Sequence, residues 1–103
     1  QPWERAKAFD GACPLSAFVS AEGVDLQNLS LQLYRNGELQ QSGNTSDMLL
    51  PVFDLLVEIS RSFTLLPGDV VLTGTPAGVG PLLAGDRLKA CLGNILAVET
   101  TVA

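Results

Sequence analysis

The sequence predicts a mixed fold, mainly β with one packed helix. Three observations carry this. Leu29, Leu31 and Leu33 alternate with Ser30, Gln32 and Tyr34 and run into Asn36-Gly37. The period of two marks a half-buried strand, and the dipeptide supplies the two positive-φ positions of a type I′ hairpin turn. Leu88, Ala90 and Leu92 repeat the alternation ahead of a second turn at Gly93-Asn94, with residues 95–102 returning. Between the hairpins the period changes: Leu49, Val52, Leu56, Ile59 and Phe63 recur at helical intervals.

Taken in order, the N-terminal residues read as a loop ending at Cys13-Pro14, where proline drives its predecessor toward extended geometry and a short strand is expected over 16–19. Residues 21–28, AEGVDLQN, form a surface turn. The first hairpin returns over 38–42. The helix is expected across 46–65, capped by Ser46 or Asp47, with Pro51 tolerated in its first turn because few backbone bonds are lost there. Met48, Leu50, Phe53, Leu55 and Val57 widen its apolar face, so it needs cover on more than one side. Leu66-Pro67-Gly68-Asp69 makes a turn into a strand, Val70–Gly74, and Gly85-Asp86 turns into the second hairpin.

Composition bounds the function. The chain has 103 residues, 47% of them hydrophobic and 17% charged, with a formal charge of −5. A free-standing domain of this size carries about a quarter charged residues, so part of the apolar surface is expected to be covered by something else. The acidic balance argues against nucleic acid, whose binding needs clustered Lys and Arg. No apolar run approaches the ~18–20 residues of a membrane span. Histidine is absent and the two cysteines, Cys13 and Cys91, are far apart. That argues against a zinc site and favours two buried, reduced thiols in a cytoplasmic protein.

The stretch VVLTGTPAGVGPLLAGD, residues 70–86, carries the strongest motif. It is not a phosphate loop, because it has no lysine after its glycines and no helix follows. Its glycines and prolines suit a stiff turn. A turn alone does not require Thr-Gly-Thr, and two hydroxyls beside exposed N–H groups can grip a carboxylate. This stretch resembles the "ILTGTPxGVGP…GD" signature of the fumarylacetoacetate hydrolase superfamily. KAFDGACPLSAFV (7–19) and NGELQQSGNTSDMLLPVFDLLVEISRSFTLLPGD (36–69) resemble two further segments of that family, in order and at matching spacing. The nearest branch is that of acylpyruvases and oxaloacetate decarboxylases.

The resemblance implies part of a β-roll and an enzyme of small 2-oxo acids. It would hydrolyse or decarboxylate them with Mg²⁺ or Mn²⁺ as Lewis acid. The family's metal ligands are a Glu-x-Glu pair and a later aspartate. No Glu-x-Glu occurs here, so no metal ligand is assigned, and the ligands are expected upstream. Residues 1–103 then form the C-terminal portion of a catalytic domain, partnered by the upstream half and, in the intact enzyme, by a second copy in a homodimer. Lys7 matches the family's catalytic lysine. Thr75 matches the threonine that contacts the substrate carboxylate, aided by the Gly74 backbone. Gln41 and Thr45 are read as structural, and Asp69 and Asp86 as turn residues. Asp10 is a turn cap or a partner of Lys7, and Asp47, Asp54 and Glu58 a solvated face. The alternatives are an isomerase or decarboxylase of unsaturated dicarboxylates from aromatic catabolism, and a non-catalytic subunit or fragment.

Overall fold

The computed structural model describes residues 10–103. Four antiparallel strands form one sheet in the order β2-β1-β3-β4. They are β1 (Ser30–Arg35), β2 (Glu38–Asn44), β3 (Arg87–Leu92) and β4 (Leu96–Thr101), and the helix α1 spans Val52–Ser60. Both predicted hairpins form. Asn36 and Gly37 adopt φ of 51° and 83°, as a type I′ turn requires. The sheet joins the hairpins through β1 and β3, with Leu33 opposite Ala90 and Leu31 opposite Leu92.

Antiparallel partners share a face, so Leu31, Leu33, Ala90, Leu92 and Val98 form one apolar side. Gln32, Tyr34, Lys89 and Glu99 lie on the other. The register of the first hairpin breaks once. Tyr34 faces Leu39 but Leu33 faces Gln41, leaving Gln40 as the extra residue of a β-bulge.

Three expectations about local structure need correction. Residues 16–19 and 70–74 are not strands: both hold strand-like residues, but neither joins the ladder of the four-stranded sheet. The helix is shorter than its periodicity suggests. A 3₁₀ turn at Thr45–Asp47 is followed by a break, and α1 starts only after Pro51. Proline disfavours helical geometry in the residue before it, which separates the two pieces. Neither Ser46 nor Asp47 caps α1. Asn44 caps the 3₁₀ turn by accepting from the Ser46 N–H, and the Val52 N–H at the head of α1 donates to Gln27 Oε1 at 2.6 Å.

Two polar clusters tie the ends of the sheet together. Asp86, 7% exposed, accepts from Arg35 Nε at 2.7 Å, Asn36 Nδ2 at 2.9 Å and the Leu83 N–H at 2.8 Å. Thr45, 8% exposed, accepts from the Leu29 N–H through its hydroxyl, while its own N–H donates back to the Leu29 carbonyl. Both side chains serve as hydrogen-bonded braces at the ends of strands.

Among the described residues no hydrophobic side chain is buried. Phe53 on α1 is 65% exposed and Leu72 is 77% exposed. The radius of gyration is 14.9 Å, against about 13 Å for a closed domain of this length. A sheet with an open apolar face and a helix with a bare flank is what the excess of apolar residues anticipated. Cys13 is exposed rather than buried, lying in the bend before Pro14; Cys91 is partly buried and both are free thiols. No helix among the described residues is long and apolar enough to cross a membrane.

Candidate active site

Gly74 and Thr75, the described part of the predicted site, lie on the long segment between α1 and β3, and β2 holds that segment in place. Gln40 Nε2 donates to the Gly78 carbonyl at 3.0 Å. Gln41 Nε2 donates to Thr75 Oγ1 at 2.9 Å and to the Pro76 carbonyl at 2.8 Å. Gly78 has φ of 103°, in the region that strongly favours glycine. A Cβ there would come within 2.6 Å of the Gln40 carbonyl oxygen. The glycines of this stretch therefore answer two demands: tight turning and close approach to β2.

Gly74, Thr75 and Pro76 form a wall between two clefts. One, of about 440 Å³, is lined on its far side by Thr45, Met48, Leu50 and Leu55. The other, of about 210 Å³, opens over Leu31, Leu33 and Ala90 on the apolar face. Thr75 is exposed. Its hydroxyl oxygen is already accepting from Gln41, and a hydroxyl retains one proton to donate. That proton is free to meet a hydrogen-bond acceptor in the cleft. Asp47 is the one charged residue among the described residues lining the 440 Å³ cleft, so charge complementarity for an anion must come from elsewhere. A larger cleft of about 760 Å³ lies over Tyr34, Lys89 and Glu99 on the polar face. Neither Gly74 nor Thr75 is among the described residues that line it.

Lys7 lies outside the described residues, and so does any contact it makes with Asp10. Asp69 accepts from the Leu66 N–H at 2.9 Å, a turn role. Asp54 and Glu58 are exposed, Glu58 pairing with Arg61 at 2.9 Å. No group of three or more His, Cys, Asp or Glu side chains among the described residues is placed to hold a metal ion, so these residues do not fit the divalent cation that the motifs imply. Sequence reasoning read Gln41 as structural, which its hold on Thr75 and Pro76 matches, and missed Gln40. The signal was present as two adjacent glutamines on the strand facing the Gly-rich segment, but their joint reach depends on the bulge.

The family profile described as fumarylacetoacetate (FAA) hydrolase C-terminal matches residues 1–103. The chain belongs to this family. It is 56% identical over 90 residues to oxaloacetate tautomerase YcgM of Escherichia coli, covering 85% of this chain and 41% of that protein. It is 43% identical over 102 residues to the mitochondrial oxaloacetate tautomerase FAHD1 of Bos taurus, covering 98% and 46%. The crystal structure of 5-carboxymethyl-2-hydroxymuconate delta-isomerase from Mycobacterium smegmatis superimposes with a TM-score of 0.92 at 38% identity, over 98% of this chain and 40% of that one. The chain thus spans under half the length of these relatives. As a member of the fumarylacetoacetate hydrolase family it has enzymes as relatives, and its antiparallel sheet with one helix matches the corresponding part of that crystal structure.

Proposed function

We propose that the chain is the C-terminal half of a catalytic domain whose substrates are small 2-oxo acids, and that it supplies the wall binding a substrate carboxylate. The observation that carries this is the Thr75 hydroxyl, held as an acceptor by Gln41 and so left to donate into the cleft beside Gly74. Lys7, the proposed catalytic lysine, would bring the positive charge that the described lining lacks. Keto–enol tautomerisation of a 2-oxo diacid is the reaction favoured by the names of the E. coli and bovine relatives. In it a C3–H bond breaks, the proton is delivered to the 2-oxo oxygen, and the electron pair of the former C–H bond becomes the enol double bond. Nothing else is consumed. A site tolerant of an enolate also suits decarboxylation of oxaloacetate, in which CO2 leaves and the pyruvate enolate stays behind, and hydrolysis of acylpyruvates, in which water adds to the acyl carbonyl and pyruvate leaves as its enolate.

A second reading, isomerisation of an unsaturated dicarboxylate, is favoured by the Mycobacterium smegmatis likeness. The proposal extends to a cytoplasmic homodimer that uses Mg²⁺ or Mn²⁺ held by carboxylates outside the described residues. The test is a substrate panel on the intact polypeptide with either cation present. Loss of the oxaloacetate enol, oxaloacetate decarboxylation, acetylpyruvate cleavage and isomerisation of 2-hydroxyhepta-2,4-dienedioate are followed side by side. Turnover of oxaloacetate or acetylpyruvate supports the first reading. Turnover of the dienedioate alone supports the second, and inactivity on all of them sinks both.

A further inference from the structure

Neighbouring side chains of a regular strand point to opposite faces. Gln40 and Gln41 break that rule, since both amides reach the same segment. Gln40 meets the Gly78 carbonyl at 3.0 Å, and Gln41 meets Thr75 Oγ1 at 2.9 Å and the Pro76 carbonyl at 2.8 Å. The register slip between Leu33 and Tyr34 accounts for it, because the extra residue of a bulge re-aims the side chains around it.

We infer that Gln41 is a positioning residue for the substrate carboxylate, acting through Thr75. The logic is that of donors and acceptors. One amide nitrogen carries two hydrogens and accepts no hydrogen bond, and here one hydrogen goes to Thr75 Oγ1 and the other to the Pro76 carbonyl. The Thr75 proton therefore cannot be given back to Gln41 Nε2. It is left for the cleft, where Thr75 is exposed. The bond to the Pro76 carbonyl keeps the amide from rotating, so the hydroxyl is held as a donor before any ligand arrives. Such preorganisation lowers the ordering cost on binding. This inference rests on the proposed 2-oxo acid substrate and assigns a role to a residue that the motif comparison left as structural.

Two substitutions separate this role from simple support of the loop. Gln41→Glu places a carboxylate where the amide was. That carboxylate accepts the Thr75 proton, withdrawing it from the ligand, and sets a negative charge near the substrate's own. Gln41→Met keeps the length and removes the donor. The experiment measures oxaloacetate kinetics of the intact enzyme, and inhibition by oxalate as a ligand that keeps the carboxylate but has no C–H bond to ionise. Thermal melting confirms that each variant is folded.

Gln41→Glu is expected to raise both KM and the oxalate inhibition constant about tenfold or more, with kcat changed less than about threefold. Gln41→Met is expected to raise KM about threefold to tenfold with Thr75 present, and less than about twofold in a Thr75→Val background, because residues acting through one hydrogen bond are not additive. Equal effects of Gln41→Met in both backgrounds would overturn the inference and reduce Gln41 to a prop under Pro76. A wild-type enzyme that neither turns over a 2-oxo acid nor binds oxalate would instead overturn the substrate reading, and this inference with it.

Discussion

Pro76 is seated directly on Gly43. A Cβ at residue 43 would lie 2.8 Å from the Pro76 Cβ, closer than such atoms pack. Gly43 stands opposite Leu31 in the sheet, so the Thr-Gly-Thr-Pro segment rests on the edge strand at a glycine-sized gap. Gly43→Ala should push Pro76 and Thr75 away from β2. Overpacking of this kind costs roughly 1–3 kcal/mol, to be read as a lowered denaturant midpoint of the intact protein. A raised KM should accompany it. Unchanged stability and KM would mean that the segment can ride up without consequence.

The gap also shows why part of the site is not legible in the sequence. Asn36-Gly37 pairs Arg35 with Glu38 and Tyr34 with Leu39, and simple counting then pairs Leu33 with Gln40. On that register Gln40 and Ser42 would line the apolar face. The bulge shifts the pairing so that Gln41 and Gly43 stand opposite Leu33 and Leu31. No turn dipeptide or alternation announces a bulge, because it is fixed by what the strand must reach across space.

The same contrast runs through the rest of the chain. Leu29, Leu31 and Leu33, and Leu88, Ala90 and Leu92, carry their own pairing information, and both hairpins were readable from them. Residues 70–74 have equal β propensity, yet strand identity needs a hydrogen-bonding neighbour, and the four-stranded sheet offers them none. Pro51 was visible as a constraint, but whether it begins a helix or interrupts one depends on whether the preceding turn finds other partners. Here Thr45 and Asn44 supply them.

Acid should loosen the β1–β3 junction. The Leu83 N–H, the Asn36 amide and the Arg35 guanidinium beside Asp86 lower its pKa from 3.8 to about 2. The folded state therefore holds the carboxylate ionised more firmly than the unfolded chain does. Its stabilisation is complete above pH 3.8 and is lost as pH falls from there toward about 2. Urea unfolding of the wild type and of Asp86→Asn, compared at several values across that window and at pH 7, checks this. The variant should be the less stable at pH 7, and the difference should shrink as pH falls. A constant difference would mean that the ion pair is not what the titration reports.

Gln27 serves as a remote cap for α1. Its Oε1 accepts from the Val52 N–H at 2.6 Å and its Nε2 donates to the Thr45 carbonyl at 3.2 Å, while Pro51, at the cap position, makes no side-chain cap. Gln27→Ala should cost about 1 kcal/mol, as loss of a helix cap does. It should also speed hydrogen exchange at the first amides of α1 more than at those of β1. Uniform acceleration in both elements would point to global destabilisation and against a capping role.

Thr75 and Lys7 should fail differently when removed. Thr75→Ser keeps the hydroxyl that accepts from Gln41 and should retain KM within about threefold. Thr75→Val keeps the shape, removes the donor, and should raise KM about tenfold or more, the range of a hydrogen bond to a charged group. Lys7→Ala should instead remove most of the turnover, because a charge that stabilises a developing enolate acts chiefly in the transition state, where each ~1.4 kcal/mol is tenfold in rate. Steady-state kinetics of the three variants with oxaloacetate and acetylpyruvate separate the roles. If Thr75→Val lowers kcat while leaving KM alone, Thr75 takes part in the bond-making step, and the carboxylate must be gripped by another wall of the site.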